Sequence, residues 1–502
     1  IPEKEAISLP GLEPGDSVET DYLRGLAPRG GDLPGYTLGS FFFRDDETPM
    51  SESTYEVRAP APFEVDAHQL ALPNDAVTRD GESFRFRYSV RDVPALQPEP
   101  HAPAEAELMP WVQIGTGSGQ KELARSIADW ALLRARPGSG TTEIARRSVG
   151  RSPIETAQNA YAAVAQAVRG RSTGTDFTSS APHIVMQGRG NRLLVLKAVL
   201  AAAGVPSHIV LSRTFNADQA PYRFPRGELF GYAVLRIDLS SGPLWADPSY
   251  RLAPLGQLPS FVRGQEAWVM PEPGEEPVQI RLPESLPGEE NGRSLSLELK
   301  LSPDGTAQGS GRDQHRGFEA ASLKDALERL DHDQRKQAVE AMLGRGLRGV
   351  KLESLRAEHE ADLGGDATLV YTMSAGIARK DGPELLVQAS LAPSRLTRRW
   401  AFSGERSATL LIDAPEILES HTTLQLPPGM HLRKAPAPVS VNSAFGAYAW
   451  SAREESGKVV MEESLRLPQQ RVRPAQYGDF QAFASAVDEA QSQELSLSEE
   501  AQ

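Results

Sequence analysis

The sequence predicts an α+β multidomain protein: a β-sandwich-like region over residues 1–118, an α+β region over 119–272 and a second mostly β region over 293–490. Three observations predict it. Apolar residues alternate with period two near residue 84 and again near 295, as in half-buried strands. Between them, from about residue 120 to 203, the period becomes that of helices. A chain of 502 residues also exceeds what one core holds, so about three domains follow.

In the first region SFRFRYSV places Phe84, Phe86, Tyr88 and Val90 on one strand face, and the region reads as all-β to about residue 115. The proline-rich stretch 91–103 reads as an extended connection, because proline supplies no ladder donor. In the second region KELARSIADWALL sets Leu123, Ile127 and Trp130 at helical spacing. Ser152-Pro153-Ile154-Glu155 carries a helix start: a capping serine, proline at the first position and glutamate closing a capping box. Ile154, Ala157, Tyr161, Val164 and Val168 follow as one face. Residues 193–203 are apolar nearly all round, so that helix must be buried on most sides. Strands HIVLSR, YAVLRI and PLWAD come next.

A stretch rich in Pro, Glu and Gly reads as a linker over 273–292. SLSLELKL then puts Leu295, Leu297, Leu299 and Leu301 on one face. One long helix, 320–343, interrupts the strands of this region. YGDFQAFASAVDEA reads as a short amphipathic helix with Phe480, Phe483 and Val487 inward, and the tail 491–502 as acidic and frayed.

The net charge of −14 repels phosphate backbones, which argues against a nucleic-acid partner. No run approaches the roughly 18 apolar residues of a membrane span. The absence of cysteine excludes disulfides, thiolate metal sites and thiol catalysis together. The chain starts at Ile1 with no signal-peptide pattern, and reads as part of a longer precursor.

Three segments carry a resemblance. QGRGNRLLVLKAVLAAAGVPSHIVLSR (187–213) is similar to the nucleophile helix of transglutaminase-like cysteine enzymes; FGYAVLRI (230–237) stands where that family has its histidine strand, and LWADPSY (244–250) where it has its aspartate. With LPGLEPGDSVETDY (9–22) and FFFRDDETPMSESTYEVRAPA (41–61), the order of parts resembles a bacterial family built of a DUF3857-type β domain, a papain-like transglutaminase-core domain and a DUF3858-type β domain. In active members a cysteine at a helix N-terminus is the nucleophile, with its pKa lowered by the helix dipole and a histidine that an aspartate orients.

Here the nucleophile position falls on Arg189 in one register and on Arg192 in another, about one helical turn apart; the histidine position reads Tyr232, and Asp247 alone is kept. Arginine stays protonated and is a poor nucleophile, so the resemblance implies a degenerate, catalytically inactive domain. Three uses of the set stay open. Arg189 pairs with Asp247 while Tyr232 donates a hydrogen bond, as a purely structural closure. Alternatively Arg189 and Arg192 hold a carboxylate or phosphate, or a different nucleophile retains hydrolase chemistry on peptide or cell-wall amide bonds. The expected function is a scaffold or binding component of a larger extracytoplasmic protein (periplasm or cell surface), with protein partners, a possible peptide or carboxylate ligand and no cofactor.

His183, just before that helix, either replaces the missing histidine or is a plain loop residue. Asp331-His332-Asp333 looks metal-like on paper, but neighbouring helical side chains diverge. The hydroxyls of 173–180 need a base in reach, and His183 is the histidine nearby. Trp245 and Trp268 read as core.

Overall fold

A computed structural model describes residues 11, 13, 15–19 and 37–499, apart from 118, 171, 173, 287–290, 402 and 403. The chain divides into two units, 1–32 and 33–502. In the first, the described residues form a turn in which Glu13 N donates to Asp16 Oδ2 at 2.8 Å. Half of the 9–22 motif lies outside the described residues.

The second unit opens with six strands: β1 (Phe41–Phe42), β2 (Met50–Ala59), β3 (Glu64–His68), β4 (Val77–Asp80), β5 (Ser83–Val93) and β6 (Trp111–Gly115). They form two three-stranded sheets, β2-β5-β4 and β1-β6-β3. Phe43, Phe63, Phe86, Val112 and Ile114 fill the space between them, and Phe84, Tyr88 and Val90 pack against that core as their alternation predicts. One short helix, α1 (Glu105–Leu108), interrupts this otherwise β region.

Five helices follow: α2 (Gln120–Arg134), α3 (Ser139–Ser148), α4 (Pro153–Ala167), α5 (Ala181–Gln187) and α6 (Arg192–Ala202). They cover a five-stranded antiparallel sheet of order β11-β10-β7-β8-β9, made of β7 (Ser207–Ser212), β8 (Tyr232–Leu239), β9 (Gly242–Ala246), β10 (Glu266–Val269) and β11 (Val278–Arg281). Ser152 caps α4 by accepting from Glu155 N, as expected. Residues Leu193–Leu200 of α6 are buried on all sides.

Three expectations need correction. The core face of α2 is its alanine row, Ala124, Ala128 and Ala131, which lets the helix approach closely; Trp130 is 49 % exposed with Arg134 over its ring. Ile154 likewise points outward, while Ala157, Tyr161, Val164 and Val168 are buried. The stretch read as a linker contributes β11 as an edge strand on β10.

The last region is built on an eight-stranded sheet of order β14-β15-β13-β12-β19-β23-β22-β21. Its first half is β12 (Gly292–Leu301), β13 (Thr306–Arg316), β14 (Arg348–Glu358) and β15 (Ala367–Gly376). Strands β16 (Ala378–Asp381), β17 (Glu384–Gln388) and β18 (Leu410–Ile412) come next. The second half is β19 (Glu416–Gln425), β21 (Val439–Ser443), β22 (Gly446–Glu455) and β23 (Lys458–Leu467). The halves join where β12 and β19 run parallel. Leu295, Leu297, Leu299 and Leu301 all point into the core.

The single helix expected over 320–343 is two, α7 (Gly317–Glu328) and α8 (His332–Leu343). Asp331 accepts from Gln334 N and the Gln334 side chain accepts from Asp331 N, a capping box that restarts the helix. Among the described residues no group of three or more metal-ligating side chains occurs, and Asp331 is a helix cap.

The described part of the tail, residues 491–499, is also not frayed. After α9 (Leu396–Trp400), β20 (Met430–Lys434), β24 (Gln470–Val472) and α10 (Tyr477–Ser492), residues Glu494–Glu499 form β25. This strand sits between β17 and β20, with Leu495 and Leu497 buried; its alternating leucines outweigh the flanking acids. In α10, Phe480, Phe483 and Val487 are buried as expected.

Leu497→Ala is expected to cost about 2–5 kcal/mol, measured by urea unfolding, since the side chain is fully buried. A second measurement concerns Asp313, which is fully buried in a two-pronged pair with Arg293, at 2.8 and 2.7 Å, and has His315 Nε2 3.3 Å away. Burial pushes its carboxyl up, but His315 and Arg293 more than offset this and hold it at about 2. Its folded pKa thus lies below the unfolded value of about 3.9, so its stabilisation is present above that pH and lost as pH falls through about 2. Asp313→Asn is expected to be less stable than wild type by roughly 3 kcal/mol at pH 7, a gap that closes as pH falls toward 2.

Candidate functional site in the cleft of the α+β domain

The site begins with the turn that starts α6. Gly188 (φ 67°) ends α5 and Gly190 (φ 123°) continues the turn, both in conformations that favour glycine. Asn191 caps α6: its Oδ1 accepts from Leu193 N at 2.9 Å, while its Nδ2 donates to Gly174 O and Asp176 O at 3.0 and 2.9 Å. The cap fixes Arg192 as the first residue of α6.

Arg192 is 3 % exposed. Its guanidinium donates to four main-chain carbonyls: Nε to Pro248 O at 2.7 Å, Nη1 to Val168 O at 3.0 Å and Gly170 O at 2.6 Å, and Nη2 to Ser249 O at 2.7 Å. Burial lowers its pKa to about 10, so it stays charged at neutral pH. It makes no hydrogen bond to the Asp247 carboxylate, and the expected pair of Arg189 with Asp247 does not form: Asp247 is bonded to Tyr232 and Ser249 instead.

Asp247 follows β9 and is 0 % exposed. Its Oδ2 accepts from Tyr232 Oη at 2.6 Å and its Oδ1 from Ser249 N at 2.9 Å; its main-chain oxygen accepts from Tyr161 Oη at 3.1 Å. Burial raises the Asp247 pKa, and the bonds from Tyr232 and Ser249 and the nearby Arg192 partly offset the rise. Burial, then the charge of Asp247, pushes Tyr232 well above the ordinary phenol range, so it is a neutral donor.

Arg192, Tyr232 and Asp247 therefore meet, and Arg189 and His183 do not join them. Arg189 is exposed, with Nε 3.4 Å from Gln187 Oε1. His183 lies on the exposed side of α5. Of the hydroxyls at 173–180, Thr173 lies outside the described residues, and Thr178 Oγ1 donates to Asp176 Oδ1 at 2.5 Å. Trp245 and Trp268 are buried in the core.

Above the trio lies a cavity of about 730 Å³. Arg169, Ser172, Tyr232, Ser249, Tyr250 and Arg251 form its walls, and Asp325, Glu328 and Arg329 at the end of α7 form its roof. Phe318 meets the Tyr250 ring edge-on at 6.0 Å, and Glu328 pairs with Arg251. Sequence reasoning missed these residues. Arg251 directly follows the aspartate motif and was in reach of it, whereas nothing local announces that α7 folds over the cleft. Among the described residues no histidine or lysine lines the cavity.

Residues 385–497 match the family described as Domain of Unknown Function with solved-structure structure (DUF3858). No curated protein matches the chain. Among solved structures, a "putative protease" from Parabacteroides distasonis superposes with a TM-score of 0.56 at 12 % identity, covering 93 % of this chain and 76 % of that one. A "putative cysteine protease" from Cytophaga hutchinsonii covers 43 % of this chain and 78 % of its own at 9 % identity, with a TM-score of 0.18, too low to argue from. The chain thus shares the multidomain fold of the Parabacteroides structure, with an arginine at the first residue of α6.

Arg192→Lys is expected to lower stability by about 3 kcal/mol or more in thermal or urea unfolding, because an ammonium cannot fork to four carbonyls and leaves some unpaired. Arg189→Ala is expected to change it by less than about 0.5 kcal/mol. Equal stability of Arg192→Lys and wild type would contradict the role given to the guanidinium.

Proposed function

We propose that this chain is a catalytically inactive transglutaminase-like protein that serves as a scaffold or binding component of a larger extracytoplasmic bacterial protein or assembly. Its first domain is then of the DUF3857 type. The observation that carries the reading is the placement of Arg192 at the first residue of α6, its guanidinium bonded to carbonyls and without a lone pair to offer. Tyr232 supports it. Where an active member needs a base, this side chain is a neutral donor to Asp247. The absence of cysteine removes the thiol, and neither Ser172 nor Ser249 has a histidine beside it in the cavity. The extracytoplasmic placement, at the periplasm or cell surface, comes with the family resemblance alone.

The purified chain is expected to show no turnover above background with amide, ester, peptide or glutamine-amine transfer substrates. Turnover that Asp247→Ala abolishes, in a variant that still folds, would overturn the reading in favour of a hydrolase with a non-thiol nucleophile.

A further inference from the structure

The charges around the cavity over Asp247 do not balance. Among the described residues four guanidinium groups line it, those of Arg169, Arg192, Arg251 and Arg329, against two carboxylates, Asp325 and Glu328. Asp247 beneath them is already bonded through both oxygens. This surplus of positive charge is concentrated in a concave site on a chain whose net charge is −14.

The four arginines are not equivalent. Arg192 is consumed by main-chain carbonyls. Arg329 pairs with Asp325 one turn earlier on its own helix. Arg251, 15 % exposed, reaches across the cleft to both carboxylate oxygens of Glu328, whose side chain is 38 % exposed, so solvent reaches the carboxylate side of the pair. Arg169 forms no hydrogen bond or ion pair among the described residues. Burial, and then the charge of Arg169, lowers the pKa of Arg251, while Asp325 offsets part of the fall.

We propose that this cavity is a binding site for an organic carboxylate, held between Arg169 and Arg251, and that Glu328 of α7 occupies part of it as an internal stand-in. A guanidinium pairs with a carboxylate through two parallel hydrogen bonds, and two such groups on one wall select an anion over a neutral amide. Ser249, on the same wall, has its side chain beside Asp247 and Tyr232. The rings of Tyr232 and Tyr250 add apolar surface for the carbon skeleton. The volume falls in the range of about 300–1,000 Å³ common to small-molecule sites. The carboxylate comes either from a small free acid or from a peptide C-terminus.

The inference deepens the reading of the chain as a binding component. The test is calorimetric titration of the full chain with succinate, with N-acetyl-alanyl-alanine and with the C-terminal amide of that dipeptide. At least one acid is expected to bind, and the amide at least ten-fold more weakly; the tighter acid identifies the source. Glu328→Gln, which removes the internal anion, is expected to tighten binding several-fold. Arg169→Ala combined with Arg251→Ala is expected to weaken it at least ten-fold while the circular dichroism spectrum is kept. Equal binding of acid and amide, absence of binding even in Glu328→Gln, or indifference to the arginine changes overturns the proposal. None of these outcomes involves turnover, so failure here leaves the inactive reading intact, and hydrolysis of the amide would defeat that reading separately.

Discussion

Four main-chain carbonyls, from Val168, Gly170, Pro248 and Ser249, converge on the guanidinium of Arg192, and this tie holds the segment after α4 against the segment after β9. Both segments lack a ladder of their own in which to satisfy those carbonyls. A buried carbonyl without a donor costs about 1–3 kcal/mol, so the single side chain offsets several such costs together. Arginine is suited to this because its donors fan out in one plane and address acceptors on two sides. Ser172 Oγ accepts from Arg192 N at 3.1 Å and binds the same segment once more.

The position carries an electrostatic cost. A cation at a helix N-terminus opposes the helix dipole, and this one is desolvated as well. No carboxylate pairs with it directly. Compensation comes from the carbonyl oxygens and from the field of Asp247, which also offsets part of the desolvation of the arginine. Asp247 in turn is fully committed, one oxygen to Tyr232 and the other to Ser249 N. The site is therefore a closed set of donors and acceptors, and among the described residues the free polar capacity lies one layer further out, at Arg169 in the cavity.

Much of this was legible in the sequence, and the failures have physical causes. The alternation at Phe84–Val90 and Leu295–Leu301, the serine cap of α4 and the all-apolar α6 each gave the right element, because burial on a fixed period leaves little choice. The face of α2 was misjudged because alanines at 124, 128 and 131 share the same spacing as the larger side chains beside them, and close helix approach favours the small row. The restart at Asp331 was signalled by Asp331-His332-Asp333-Gln334, a capping-box pattern inside an otherwise continuous helical period. Strand β25 was hidden by its acids; its two leucines matter only once β17 and β20 are there to pair with it. At the site, Asn191 was the clue to the register. It is among the best N-cap residues, which makes Arg192 rather than Arg189 the first helical residue. The role of α7 is a long-range contact that no local pattern encodes.

The same closed set also limits what one substitution can do. A cysteine at residue 192 would stand at a helix N-terminus, where the dipole favours a thiolate. It would also strip the donors from four carbonyls and leave a void as long as the arginine side chain. Its proton would have no acceptor, because Tyr232 already donates to Asp247 and is held neutral by burial. A histidine at 232 would supply the base, but the arginine would still block the helix start. Either change alone would therefore leave the other position unsuited, and a change at 192 would also remove the donors that Val168 and Gly170 now share.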